Sequence, residues 1–314
     1  FLSLSSFSFF VSLSPNTTQH STTHNTQEKK RMGASTSTEN KEEKEVHLSW
    51  RKVTSFPTYE DLLEQKHINK QQTIVSLHLA FNQIEDIPFI FENKEWENLR
   101  ELRLDANKLT NLTTHFLPLH SLNTLSLGGN QLTSFPDLFS SSSLPFSLPN
   151  PFSPSPLPFL RVLEVPANKI REVPKEVGGL VGLEELSVAE NEIKQLSEEC
   201  LPPSLVILRL QSNQLEGLPS SLTKLTNLKR LDISENQITV LPSLMENLVN
   251  LENFNARTNK LQVVEERWLE GWKKVKYIDF SFNFLSVGGP PPLFALSSPF
   301  LKEIGLSGNG LTKE

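Results

Sequence analysis

LPSSLTKLTNLKRLDISENQITVLPSLMENLVNL, residues 218–251, contains the frame that decides the fold. From Leu228 it reads apolar, two residues, apolar (Leu231), one residue, apolar (Ile233), two residues, Asn236, one residue, apolar (Ile238), and at Leu251 the frame begins again. The same frame recurs around Asn82, Asn107, Asn130, Asn168, Asn191, Asn213, Asn236, Asn259, Asn283 and Asn309, at spacings of 25, 23, 38, 23, 22, 23, 23, 24 and 26 residues. A fixed period in this range marks an array of identical structural units, one of which carries an insertion. The three leading apolar positions hold no polar residue, from Ile74, Leu77 and Leu79 in the first unit to Leu301, Ile304 and Leu306 in the last. Alternation of apolar and other residues over a few positions is strand periodicity, so each unit supplies one short strand. Such strands stack as a parallel sheet about 4.8 Å per step. One unit cannot bury its own leucines; stacked units share a continuous core.

After the strand the chain must turn sharply, which leaves backbone groups facing inward without ladder partners. An asparagine side chain both donates and accepts, so an Asn at this place in every coil can satisfy its own turn and its neighbour's. A ladder of ten buried amides is expected. Half of the units then end in an apolar residue followed by proline, as at Val173-Pro174, Leu218-Pro219 and Leu241-Pro242. Proline fixes φ and lacks a donor, which suits entry to a short helical turn on the outer side. Leu222 and Leu225, or Leu244 and Leu248, are expected to return to the core from that turn.

Residues 73–314 resemble the leucine-rich repeat family, and the 218–251 stretch resembles its cytoplasmic class associated with Ras signalling and the plant relatives of that class. The resemblance implies an α/β fold, a right-handed leucine-rich repeat solenoid or horseshoe. Its parallel sheet would line the concave face, with short helical or irregular turns on the convex face. It also implies a noncatalytic module that binds a protein on the concave face.

Four segments are expected. Residues 1–31 contain no methionine and are read as an upstream leader translated in error or a disordered end. Residues 32–45 form a disordered tail, 46–72 a degenerate capping unit with Arg51 in place of the asparagine, and 73–314 the ten-unit solenoid. Thr58 and Asp61 can cap a short helix through Leu62 and Leu63. A Ser/Pro-rich insertion near 137–158 should leave as a loop without breaking the sheet, since SSSSLPFSLPNPFSPSPLP (140–158) lacks a packing pattern. The last unit stops at Glu314 with its core positions uncovered, so the natural polypeptide is expected to continue.

The sequence has 30 basic and 36 acidic side chains; without Glu28, Lys29, Lys30 and Arg31 these become 27 and 35, a net −8. That balance has no basic block and speaks against nucleic acid as a partner. A lone Cys200 excludes a disulfide framework and favours a reducing compartment, hence a cytoplasmic, membrane-associated or free location. A start at Met32 would expose Gly33 in the pattern Met-Gly-x-x-x-Ser, a myristoylation signal. A single acyl chain gives weak, reversible membrane attachment; the alternative is an unmodified tail. The rival reading is an extracellular receptor ectodomain, with Asn16 and Asn111 as glycan acceptors.

No catalytic constellation, cofactor loop or metal-ligand spacing stands out. Lys276-Tyr277-Ile278-Asp279-Phe280 resembles a phosphatase-docking peptide, but Ile278 and Phe280 fall on core positions. Function is then expected in the side chains that alternate with the buried ones. From the sixth to the ninth unit these are Arg209, Arg230, Asp232, Asn255, Arg257, Tyr277 and Asp279, a mixed-charge patch containing the Arg and Tyr that often anchor interfaces. The competing view is that these charges only solvate the sheet and pair across strands. The candidate functions are a protein-binding scaffold, in small-GTPase or kinase signalling, or the targeting half of a larger phosphatase, kinase or cyclase.

Overall fold

The computed structural model describes residues 42–65, 67–87, 94–112, 119–136, 138, 157–285 and 298–311, all in one compact unit, Lys41–Glu314. Residues 1–41, including Gly33 and Asn16, lie outside them, as does most of the 137–158 insertion. Eleven strands form one parallel sheet in strict sequence order. They are β1 (Glu42–His47), β2 (Gln72–His78), β3 (Glu101–Arg103), β4 (Thr124–Ser126), β5 (Val162–Glu164) and β6 (Glu185–Ser187). The sheet continues through β7 (Ile207–Arg209), β8 (Arg230–Asp232), β9 (Asn253–Asn255), β10 (Tyr277–Asp279) and β11 (Glu303–Gly305). The expected solenoid is present, with its sheet on one side and short turns on the other.

Register is set by the middle residue of each strand. Leu102, Leu125, Leu163, Leu186, Leu208, Leu231, Phe254 and Ile278 are direct neighbours across the sheet and all are buried. A one-residue slip would expose the whole row, which fixes the pairing. The 38-residue spacing between Asn130 and Asn168 leaves no mark on it, since Thr124, Leu125 and Ser126 pair directly with Val162, Leu163 and Glu164. At the last strand Ile304 is half-buried.

The asparagines do what the frame requires. All ten are buried, and each reaches back one coil. Asn213 Oδ1 accepts the Ile193 N–H at 3.0 Å, while its Nδ2 donates to Val188 O at 2.9 Å and Leu210 O at 3.1 Å. The equivalent bonds recur down to Asn309, which accepts from Leu285 N–H and donates to Phe280 O and Leu306 O. At the other end Asn82 accepts from the Arg51 and Val53 N–H groups and donates to Leu48 O. The degenerate first unit is thus tied in by its neighbour's asparagine rather than by one of its own.

One part of the turn was not anticipated. The residue before every ladder asparagine has a positive φ, between 52° and 71°, in the left-handed region. Only two of these ten, Gly129 and Gly308, are glycines; the others include Phe81, Glu190, Ser212 and Phe282. Trp50, before Arg51, shares the conformation and stacks on Phe81 at 3.9 Å.

The outer turns are short. Pro174 and Pro219, with φ of −66° and −67°, lead into 3-10 turns at Lys175–Gly179 and Ser220–Lys224 that bury Val177 and Leu222. After Pro242 the turn starts later, at Met245–Asn247, and this corrects one expectation. Leu244 is 48% exposed and Met245 takes the inward place, because a three-residue turn starting there rotates its neighbour outward. The eighth unit has no such proline and forms a six-residue helix, α2 (Glu266–Gly271), which buries Trp268; Trp272, at its C-cap, is also buried and donates to Met245 O at 2.9 Å. In the capping unit α1 (Tyr59–Glu64) has the expected capping box, with Asp61 N–H donating to Thr58 Oγ1 and Thr58 N–H to Asp61 Oδ2.

A second correction concerns the start of the order. Residues 42–45 belong to a strand, not to the tail assigned to 32–45. Val46 is the one buried side chain of β1, but the backbone pairs from Glu42 with Gln72 onward. Glu42 also accepts from Gln72 Nε2 at 3.1 Å, and Glu43 pairs with Arg100 at 2.7 Å. Edge-strand pairing through the main chain needs no apolar pattern, so hydropathy could not reveal it.

Candidate functional site

The polar face of the sheet is built from two rows. The residue before each strand's middle position gives Ile207, Arg230, Asn253, Tyr277 and Glu303; the residue after it gives Arg209, Asp232, Asn255, Asp279 and Gly305. Both rows point away from the core because side chains two apart on a strand share a face. Between β7 and β11 these residues, apart from Ile207, line a cavity of about 510 Å³.

Six of the seven residues singled out from sequence, Arg209, Arg230, Asp232, Asn255, Tyr277 and Asp279, line this cavity. The seventh, Arg257, does not. Its guanidinium lies 4.5 Å from the Phe282 ring centre and 3.9 Å from Asp279 Oδ2. Asn253, Glu303 and Gly305 line the cavity too. Asn253 and Glu303 were missed although the same alternation identifies them, since each immediately precedes a middle strand residue.

The charged residues differ in how free they are. Arg209 reaches back across Ser187 to hydrogen-bond Glu185 and lies 4.0 Å from Glu164, so it is held within the sheet. This is the cross-strand pairing that competes with a binding role. Asp232 is fixed as well, its Oδ1 accepting from the Ser234 N–H at 3.0 Å and hydroxyl at 2.6 Å, its Oδ2 from Asn255 Nδ2 at 3.1 Å. The Arg230 side chain, by contrast, is exposed and forms no hydrogen bond or ion pair among the described residues, although its charge, after those of Lys276 and Lys229, acts on the Glu252 carboxylate. Tyr277 is 38% exposed, with the Lys302 ammonium 5.7 Å from its ring centre. A Cβ at Gly305 would crowd the Asp279 carboxylate and the Ser281 hydroxyl, so a side chain there would displace them.

Towards β3–β6 the face is more acidic. Glu164 is flanked by Ser126 and Ser187 in the same row, and burial, with the Glu185 and Asp105 carboxylates nearby, pushes its carboxyl above the usual range. Glu101 goes the other way: burial opposes its charge, but Arg103 at 2.5 Å and His78 hold it below the usual range. Among the described residues no group of three metal-ligating side chains comes together. Cys200 is buried, and that burial raises its thiol pKa, which removes it as a reactive thiolate. Ile278 and Phe280 are buried, so the docking-peptide resemblance at 276–280 is an accident of the repeat.

Comparison with known proteins agrees with this architecture. Family models described as leucine-rich repeats match residues 70–87, 121–142 and 203–261. Osteomodulin from Bos taurus is 29% identical over 159 residues, which is 50% of this chain and 33% of that protein. The probable inactive serine/threonine-protein kinase roco10 of Dictyostelium discoideum is 33% identical over 40% of this chain and 5% of its own. Keratocan from Gallus gallus is 33% identical over 46% of this chain and 41% of its own. The chain thus spans well under half the length of these curated relatives. A leucine-rich repeat protein of Leptospira interrogans shares the fold with a TM-score of 0.57 at 24% identity, covering 84% of this chain and 72% of that one. The functional domain of InlJ from Listeria monocytogenes has a TM-score of 0.50 at 20% identity, covering 75% of this chain and 49% of that one. The matches and the eleven-strand sheet together support the leucine-rich repeat family.

Proposed function

We propose that this chain is a noncatalytic scaffold that binds a partner protein on the sheet face between β7 and β11. The observation that carries the reading is the contrast within that face: Arg230 and Tyr277 stand exposed in a cavity where Arg209 and Asp232 are tied down. A rigid wall with a few exposed Arg and Tyr side chains is the arrangement in which hot spots occur. The solenoid supports it because adjacent coils brace one another, so the wall is preorganised and little ordering cost falls on binding.

The experiment is capture from cells with the full chain and with an Arg230→Glu, Tyr277→Ala double variant, followed by identification of captured proteins by mass spectrometry. The reading expects at least one partner lost by the variant while thermal unfolding is unchanged, since both side chains are exposed. Retention of every partner moves the site elsewhere.

The setting we propose is a reducing compartment and small-GTPase or kinase signalling. The first rests on the single buried Cys200, the second on the resemblance of residues 218–251. Myristoylation of Gly33 belongs to the same proposal and is tested by mass analysis of the amino terminus. The match to 5% of roco10 favours a second reading, in which the same face targets a longer signalling protein.

A further inference from the structure

The central strands of the β7–β11 face have a direction. Arg230, Asn253 and Tyr277 stand in register on β8, β9 and β10, and Asp232, Asn255 and Asp279 stand in register one row on. On these three strands one row offers a guanidinium, an amide and a phenol, with the Glu303 carboxylate beside Tyr277 on β11; the other offers two carboxylates and an amide. Along a strand the rows are two residues, about 6.8 Å, apart. Arg230 and Asp232 form no ion pair with each other: the Arg230 side chain has no hydrogen bond or ion pair among the described residues, its charge acting instead on Glu252, and Asp232 is turned onto Ser234 and Asn255. Three hydrogen bonds leave part of a carboxylate's acceptor capacity unused.

We infer that the occupant is an extended segment of a partner protein carrying an acidic and a basic side chain two residues apart, the acid over Arg230 and Tyr277 and the base over Asp232 and Asp279. The inference rests on the binding role proposed for this face. In an extended chain side chains two apart point the same way at the same spacing as the rows beneath them, about 6.8 Å. Adjacent charges would point to opposite sides. A helix presents an acid and a base on one side three or four residues apart, whereas the extended segment presents them two apart. Gly305 keeps the β11 side low, which leaves the Asp279 carboxylate reachable from above.

The test uses the full chain and biotinylated peptides displayed on tetravalent streptavidin, so that weak single contacts sum to a readable signal. One peptide carries Ser-Thr-Glu-Thr-Lys-Thr-Ser and a second the same residues as Ser-Thr-Glu-Lys-Thr-Thr-Ser. The first should bind at least about tenfold more tightly, and Arg230→Glu should remove that advantage because it sets two acids against each other. Arg230→Glu should in turn gain binding to Ser-Thr-Lys-Thr-Lys-Thr-Ser. Equal binding of the first two peptides, binding of neither, or an advantage that survives Arg230→Glu would overturn the inference. So would tighter binding of an alanine-rich helical peptide with Glu and Lys four apart. If the peptides fail while the double variant still loses its cellular partner, the face binds but its occupant has another chemistry; if no partner is lost, the face itself was wrongly chosen.

Discussion

The side-chain oxygen of Asn236 accepts the backbone N–H of Leu215, one coil earlier, at 2.9 Å. The amide of the same side chain donates to Leu210 O at 3.0 Å and Ile233 O at 3.1 Å, but these carbonyls also receive Asn213 and Asn259. Each ladder carbonyl is therefore served twice and each ladder N–H once.

Removal of one rung should accordingly be costly through the donor. Asn236→Ala leaves the Leu215 N–H buried without an acceptor while Leu210 O and Ile233 O keep theirs. An orphaned buried donor costs about 1–3 kcal/mol. Urea unfolding should show that loss as a lower midpoint, and Gln237→Ala, at the exposed neighbouring position, should leave the midpoint within about 0.5 kcal/mol.

The left-handed residue ahead of each rung makes the opposite prediction for glycine. Glu190 sits at φ 53° with its side chain in solvent. An L-residue there carries about 1–2 kcal/mol of strain, against the roughly 0.5–1 kcal/mol that glycine costs in chain entropy. Glu190→Gly should be neutral or stabilising by up to about 1 kcal/mol, and Glu190→Val destabilising, measured by the same unfolding curves.

These two predictions mark what the sequence disclosed and what it hid. The buried row and the amide ladder were legible because Leu231 or Asn236 can be replaced by few other residues without stranding a cavity or an N–H. The left-handed turn was not, because Phe81, Ala106, Glu190 and Thr258 all adopt it and no residue type signals it. Strand β1 was hidden for a related reason: its pairing runs through the main chain of a charged segment. For the candidate site, alternation placed Arg230 and Tyr277 on the open face, but it could not tell a free arginine from Arg209, whose engagement depends on Glu185 one strand away. Leu244 was misplaced because one residue of delay after Pro242 exchanges it with Met245.

The capping box of α1 should respond to acid. The Thr58 backbone N–H, and then its hydroxyl, hold the Asp61 carboxyl below its ordinary value. A depressed folded pKa contributes stability that is present above the unfolded value, about 3.9, and is lost as pH falls through the folded one. Thr58→Ala should therefore lower stability by about 1 kcal/mol at neutral pH, a gap that narrows on acidification below about pH 4. A gap that persists unchanged at low pH would rule out the bond from the Thr58 hydroxyl to the Asp61 carboxylate.

Glu164 should respond in the other sense. Burial first, and the Glu185 and Asp105 charges after it, raise its carboxyl pKa, so the folded state holds a proton that the unfolded state has released. Stability then falls as pH climbs from the unfolded value, about 4.3, through the raised folded value. Glu164→Gln removes that penalty. Its melting temperature should match the parent near pH 4 and exceed it at pH 7.

Hydroxyl-radical footprinting of the full chain with and without its captured partner tests the central claim most directly. Tyr277, on the sheet face, should lose reactivity in the complex, while Phe159, Val181 and Val240, exposed outside the β7–β11 cavity lining, should react as before. Protection of those three with Tyr277 unchanged would contradict the assignment of binding to the sheet face.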